Sequence, residues 1–152
     1  MKNPQDIEET EMVKRGIYTM FLARNENIAK MVAVHEGNDK INCLFALCEG
    51  DLQSFLKTVE QKNIIITSED ICFYSLQIIE GLIFLKDKLD ISHRDLKPEN
   101  ILYKTKKTPK LIQLMISDFD TICFSGKTTI RTVIGTKNYM VMNFFIKTFV
   151  GP

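Results

Sequence analysis

No apolar run in this 152-residue chain approaches the ~20 residues that a membrane span needs. The longest, such as Ile64-Ile65-Ile66, are the size of core segments. An excess of charge of one sign is also lacking. Twenty basic residues stand against 19 acidic ones, and a formal net charge of +1 gives no global argument for nucleic acid or an anionic membrane as partner. The four cysteines (Cys43, Cys48, Cys72, Cys123) form no Cys-x-x-Cys pair and no His/Cys cluster with zinc spacing. They read as reduced core residues of a cytosolic protein. The opening residues, Met1-Lys2-Asn3-Pro4-Gln5-Asp6, lack the apolar centre of a signal peptide. The expected location is therefore cytoplasmic, with no membrane segment and no direct nucleic-acid contact. Internal repeats and low-complexity tracts are lacking as well.

What is present suffices for one domain with a real core, since 45% of the residues are hydrophobic. Met12, Val13, Ile17, Met20 and Phe21 fall at helical spacing, which predicts a helix over residues 10–24 with Thr10 or the acidic residues near it suited to its start. Residues 28–35 and 41–47 read as antiparallel strands around a Glu36-Gly37-Asn38-Asp39 turn. Gly50 and Asp51 open a short amphipathic helix. A longer one is predicted from Ser68, the expected N-cap, with Glu69 and Asp70 in the first turn and an apolar face through Ile71, Leu76, Ile78, Ile79, Leu82, Ile83, Leu85 and Leu89. Two short strands, residues 101–103 and 114–116, flank a basic run, Lys104-Thr105-Lys106-Lys107-Thr108-Pro109-Lys110. With no interleaved aromatics, that run reads as a solvated hairpin loop rather than a nucleic-acid patch.

The chemistry is concentrated in His93-Arg94-Asp95-Leu96-Lys97-Pro98-Glu99-Asn100, followed by Ser117-Asp118-Phe119-Asp120. Taken singly, an Asp or Asn in a loop is usually a turn residue, and His93 alone reads as a packed core histidine. Eight consecutive residues fitting the H-R-D-x-x-x-x-N signature are not explained that way. The pattern fits phosphoryl transfer, which needs an attacking hydroxyl held in line, phosphate charge neutralised by magnesium, and a carboxylate to accept the hydroxyl proton. Asp95 is the expected catalytic carboxylate. Lys97 is a point charge able to meet the transferring phosphate. Asn100 and Asp118 offer hard oxygen ligands, few in number, as magnesium prefers.

These residues resemble the eukaryotic protein kinase superfamily, and the lysine in the first motif resembles its Ser/Thr branch. Asn25-Glu26-Asn27-Ile28-Ala29-Lys30-Met31 is similar to the loop and strand after the family's regulatory helix. Leu47-Cys48-Glu49-Gly50-Asp51-Leu52 resembles the adenine-meeting hinge, and Gly135-Thr136-Lys137-Asn138-Tyr139-Met140 the end of the activation segment. The resemblance implies an α+β, protein-kinase-like fold in truncated form. Residues 10–47 would be an N-lobe remnant with the regulatory helix and two strands, 48–52 the hinge, 53–140 a mainly helical C-lobe portion with the catalytic loop and activation segment, and 141–152 a divergent tail. It implies ATP and magnesium as cofactors, with Cys48, Asp51, Lys97, Asn100 and Asp118 at the nucleotide. A protein substrate, or a second copy of the kinase domain, is the implied partner. The Leu-Cys hinge, Leu52-Gln53 and Met115-Ile116-Ser117-Asp118-Phe119 further resemble the inositol-requiring ER-stress sensor kinases, which implies the cytosolic face of the ER.

The departures shape the functional expectation. No Gly-rich phosphate loop and no Val-Ala-Ile-Lys-like strand precedes Asn25. The helix position that normally holds the lysine-pairing glutamate falls on Gly16, with Glu11 more than a turn away. Asp120 stands where the family has glycine, and Val141-Met142-Asn143 where it has Ala-Pro-Glu. Arg94 is expected either to pair with a phosphorylated Thr128, Thr129 or Thr132, or to lie beside a plain solvent-exposed loop. Misplacing reacting groups by about 1 Å can slow a reaction ~10²-fold, so this chain alone is expected to be a weak or inactive Ser/Thr kinase. The alternative is a pseudokinase-like nucleotide-binding or scaffolding module.

Overall fold

The helix expected over residues 10–24 is α1 (Pro4–Leu22) in a computed structural model that describes residues 4–37, 40–106, 111–119 and 123–124. It already runs through Thr10, which is therefore not its cap. Glu8, Glu9 and Glu11 are good helix formers, and Pro4 occupies the first helical position, where a missing N–H is no loss. At the far end Arg24 Nη1 donates to the carbonyls of Phe21 and Ala23, both at 2.9 Å, satisfying acceptors that a helix terminus leaves open. Asn25 Oδ1 then accepts the Asn27 N–H at 2.8 Å, an Asx turn that redirects the chain.

The two strands that follow are shorter than their apolar runs. β1 (Met31–Glu36) pairs antiparallel with β2 (Ile41–Phe45), from Glu36↔Ile41 to Met31↔Phe45, with a bulge between Met31 and Ala33. Ile28 is not in β1; it forms an isolated parallel bridge with Ile116. Asn38 and Asp39 of the expected turn lie outside the described residues. Lys14 of α1 forms an ion pair with Glu36, and Tyr18 donates to the same carboxylate at 3.4 Å, tying α1 to β1.

β3 (Gly50–Asp51) leads directly into α2 (Leu52–Gln61). Asp51 is its N-cap, accepting from the Ser54 N–H at 2.7 Å while Ser54 Oγ accepts from the Asp51 N–H at 3.1 Å. The long helix is α3 (Ser68–Leu89). Its cap is Thr67 rather than the expected Ser68. Thr67 is extended, its hydroxyl accepts from the Asp70 N–H at 3.2 Å, and Asp70 accepts from the Thr67 N–H at 2.8 Å. Beyond α3 come β4 (Ile91–Ser92), a 3-10 turn (Pro98–Asn100), β5 (Ile101–Thr105), β6 (Ile112–Ile116) and β7 (Cys123–Phe124). β5 pairs antiparallel with both β6 and β3, and β4 with β7. Lys104 and Thr105 thus belong to β5 rather than to the basic loop, whose residues 107–110 lie outside the described residues.

The core lies between α3 and the β3–β5–β6 sheet, where Leu85, Ile91, Ile112, Leu114 and Ile116 are fully buried. α3 is apolar nearly all round, and the expected apolar face is only partly the buried one. Gln77, Gly81 and Leu85 are buried, whereas Ile71 and Leu76 are each 56% exposed, Ile79 48% and Ile83 42%. The α+β class expected from the sequence is the class of the structure, with three helices and small sheets among the described residues. Cys43, Cys48 and Cys72 are free thiols. Among the described residues no helix is long and apolar enough to cross a membrane.

Candidate functional site

The loop between β4 and β5 crosses the end of β6 because its backbone and the strand's share hydrogen bonds. Ser117, the residue after β6, donates its N–H to the Asn100 carbonyl at 2.8 Å and its hydroxyl to the same oxygen at 3.0 Å. On its other side the Ser117 carbonyl accepts from His93 Nε2 at 2.7 Å. A carbonyl can only accept, so Nε2 carries the proton. Burial pushes the His93 pKa down, against opposing pulls from the Ser117 carbonyl and the Asp118 and Asp95 charges. The imidazole is a neutral strut between the loop and β6. The Phe119 ring stands edge-on to it at 5.6 Å.

Within the loop, three of the sequence-predicted residues converge. Asp95, 8% exposed, accepts from Lys97 Nζ at 2.7 Å and from Asn100 Nδ2 at 3.2 Å, both on Oδ2. Asn100 Nδ2 also donates to the Asp95 carbonyl at 2.8 Å. These donations fix the amide so that its nitrogen faces Asp95 and its oxygen remains the atom for a cation. The hydrogen bond it donates to Asp95 holds Lys97 above its ordinary pKa, so the lysine stays charged. Asp118 follows Ser117 directly. It is exposed and sits in the left-handed region at φ 62, a conformation that Asp tolerates better than most residues. Arg94 has φ 72, a second such turn in the same loop.

The remaining expected residues, Cys48 and Asp51, lie at and just before β3. Cys48 donates weakly from Sγ to the Ala46 carbonyl at 3.5 Å, and burial raises its thiol pKa, which disfavours the reactive thiolate. The Asp51 carboxylate caps α2. Both are tethered to β5, through Glu49 N–H to the Tyr103 carbonyl at 3.1 Å and the pairing of β3 with Leu102 and Tyr103. Asp120, the three threonines, residues 135–140 and the 141–143 segment lie outside the described residues. Among the described residues, no group of three or more His, Cys, Asp or Glu is placed to hold a metal ion. Among the described residues, Asn100 and Asp118 could offer one amide and one carboxylate oxygen, hard ligands of the kind magnesium prefers.

Sequence reasoning missed Ser117, Gln77 and Asn27, all buried polar residues that brace the site. The legible signal was a glutamine inside the otherwise apolar stretch Leu76-Gln77-Ile78-Ile79.

A carboxylate, a lysine and an amide gathered at one point, with a second carboxylate one residue past their anchor, are the kinds of group that phosphoryl transfer needs. The model of the protein kinase domain family matches residues 1–143. Calcium-dependent protein kinase 5 of Plasmodium falciparum is 31% identical over 134 residues, which are 88% of this chain and 23% of that protein. CBL-interacting protein kinase 8 of Oryza sativa subsp. japonica is 31% identical over 132 residues, 86% of this chain and 28% of that protein. Serine/threonine-protein kinase SSK22 of Saccharomyces cerevisiae is 28% identical over 139 residues, 91% of this chain and 9% of that protein. The chain belongs to the protein kinase domain family, and its relatives include serine/threonine kinases. It spans less than a third of the length of these relatives.

Proposed function

We propose that this chain is the catalytic segment of a serine/threonine protein kinase that passes the γ-phosphate of magnesium ATP to a protein hydroxyl. The observation that carries this is the cluster on Asp95, with Lys97 and Asn100 both on its Oδ2 and Asn100 joined through Ser117 to Asp118. Asp95 orients the substrate hydroxyl and accepts its proton, Lys97 meets the transferring phosphate, and Asn100 and Asp118 hold magnesium against the phosphates. Cys48 and Asp51 border the adenine and ribose. Residues 10–47 serve as the N-lobe part, 48–52 as the hinge and 53–140 as the C-lobe part. Transfer of radiolabelled phosphate from ATP to a generic protein substrate, lost in Asp95→Asn, supports this reading. Transfer unchanged in Asp95→Asn contradicts it.

A pseudokinase-like binding module is the second reading, favoured by the buried Gly16 in α1 at the position of the lysine-pairing glutamate. Magnesium-dependent nucleotide binding without any transfer selects it. A narrower kinship with the inositol-requiring ER-stress sensor kinases rests on Leu47-Cys48, Leu52-Gln53 and Met115-Ile116-Ser117-Asp118-Phe119. Under it the domain works at the cytosolic face of the ER and pairs with a second copy. Concentration-dependent dimerisation in sedimentation supports that kinship, and a monomer at all concentrations counts against it.

A further inference from the structure

β6 ends at the residue before Ser117-Asp118, so whatever fixes its register also fixes the carboxylate that follows. One edge of β6 pairs with β5. The other has no strand beside it among the described residues, yet its peptide groups are engaged one after another. Gln77 Nε2 donates to the Ile112 carbonyl at 3.2 Å, and the Leu114 N–H donates to Gln77 Oε1 at 2.9 Å. Asn27 Nδ2 donates to the Leu114 carbonyl at 3.0 Å and to Gln77 Oε1 at 3.4 Å. The Ile116 N–H then donates to the Asn27 carbonyl at 2.9 Å, and the Ala29 N–H to the Ile116 carbonyl at 2.8 Å.

The Gln77 amide therefore stands in for a peptide group of an absent neighbouring strand. It offers a donor and an acceptor to two alternate residues of β6, at the spacing that a strand partner would use. Gln77 is 7% exposed and Asn27 3%, so water cannot readily replace either. Gly81, one helical turn beyond Gln77, lets α3 come this close. A Cβ there would lie 2.8 Å from the Asn27 carbonyl oxygen and 2.9 Å from Ile116 Cδ1.

We infer that Gln77 is a positioning residue for the metal site: by completing the outer edge of β6 from α3, it sets where Asp118 stands relative to Asn100 and Asp95. This rests on Asp118 being a magnesium ligand. Asp118 touches the metal; Gln77 acts through β6. A residue that merely stabilised the fold would change the melting temperature alone, whereas groups that orient a metal ligand typically change metal affinity 10–100-fold, so a loss of about tenfold is expected.

The test is ATP affinity of the full chain with and without magnesium, measured well below the melting temperature, for wild type, Asp118→Asn, Gln77→Met and Gln77→Glu. The expected result is a magnesium-dependent gain in wild type, none in Asp118→Asn, and a gain cut about tenfold in Gln77→Met. Gln77→Glu keeps the acceptor for Leu114 but loses the donor for Ile112, so it should fall between, and it decides if Gln77→Met does not fold. Gln77 variants that melt lower but keep the full gain overturn the inference alone. A wild type with no gain, or an Asp118→Asn that keeps it, overturns the metal site and the inference with it. On wild type alone, the Leu114 amide should exchange with deuterium as slowly as Gln113 and Met115, which face β5; fast exchange at Leu114 overturns the inference even if no variant folds.

Discussion

His93 shows how a residue of a signature motif can serve as a structural strut. Its Nε2–H holds the Ser117 carbonyl, and the ring is nearly fully buried. His93→Phe removes the donor and leaves a buried carbonyl unpaired, which should lower stability by about 1–3 kcal/mol in urea unfolding. The pH dependence has a definite sign. Burial depresses the folded pKa below the ~6.5 of a free histidine, so between those two values the unfolded chain binds more protons. Stability is therefore full above about pH 6.5 and declines as pH falls through the folded value. Unfolding midpoints measured across that window should decline in wild type and stay flat in His93→Phe. At this scale the order of residues singled out Asp95, Lys97, Asn100 and Asp118 as candidates, and the structure gathers the first three. That order did not disclose Ser117, because the site is braced by backbone carbonyls, and these leave no mark on residue identity.

At the scale of elements, α3 shows where periodicity ran out. The existence of this helix was legible, but an almost wholly apolar surface gave no clue to which side is buried. The two residues least like core, Gln77 and Gly81, mark that side. A capping serine was legible one residue away from the true cap, since Thr67 and Ser68 are chemically equivalent and only the extended backbone at Thr67 distinguishes them. Thr67→Ala should cost about 1 kcal/mol of thermal stability. Gly81→Ala sets two effects against each other. Helix propensity favours alanine by about 1 kcal/mol, but the new methyl meets a backbone oxygen and a packed side chain, and overpacking of that kind typically costs about 1–3 kcal/mol. Because the oxygen belongs to the Asn27 peptide and cannot rotate away, the clash should win, and the melting temperature should fall.

For the whole molecule, family membership and the α+β class were both legible because one motif of eight residues carries them. The surface was not. Leu47 is 90% exposed, and Leu76, Ile79 and Ile83 form an open apolar stripe along α3. Patches of this kind promote association. Replacing Leu76 and Ile79 with glutamate and lysine should raise solubility in light scattering. Surface positions usually change stability by no more than about 0.5 kcal/mol, so the melting temperature should hardly move.

Under the proposed function, the His93–Asn100 loop and Asp118 form one magnesium–nucleotide site. Nucleotide-dependent thermal stabilisation, with and without magnesium, tests it most directly on wild type and Asp118→Asn. The predicted result is a magnesium-dependent upward shift in wild type that disappears in Asp118→Asn. Equal responses of the two proteins, or none in either, would contradict it.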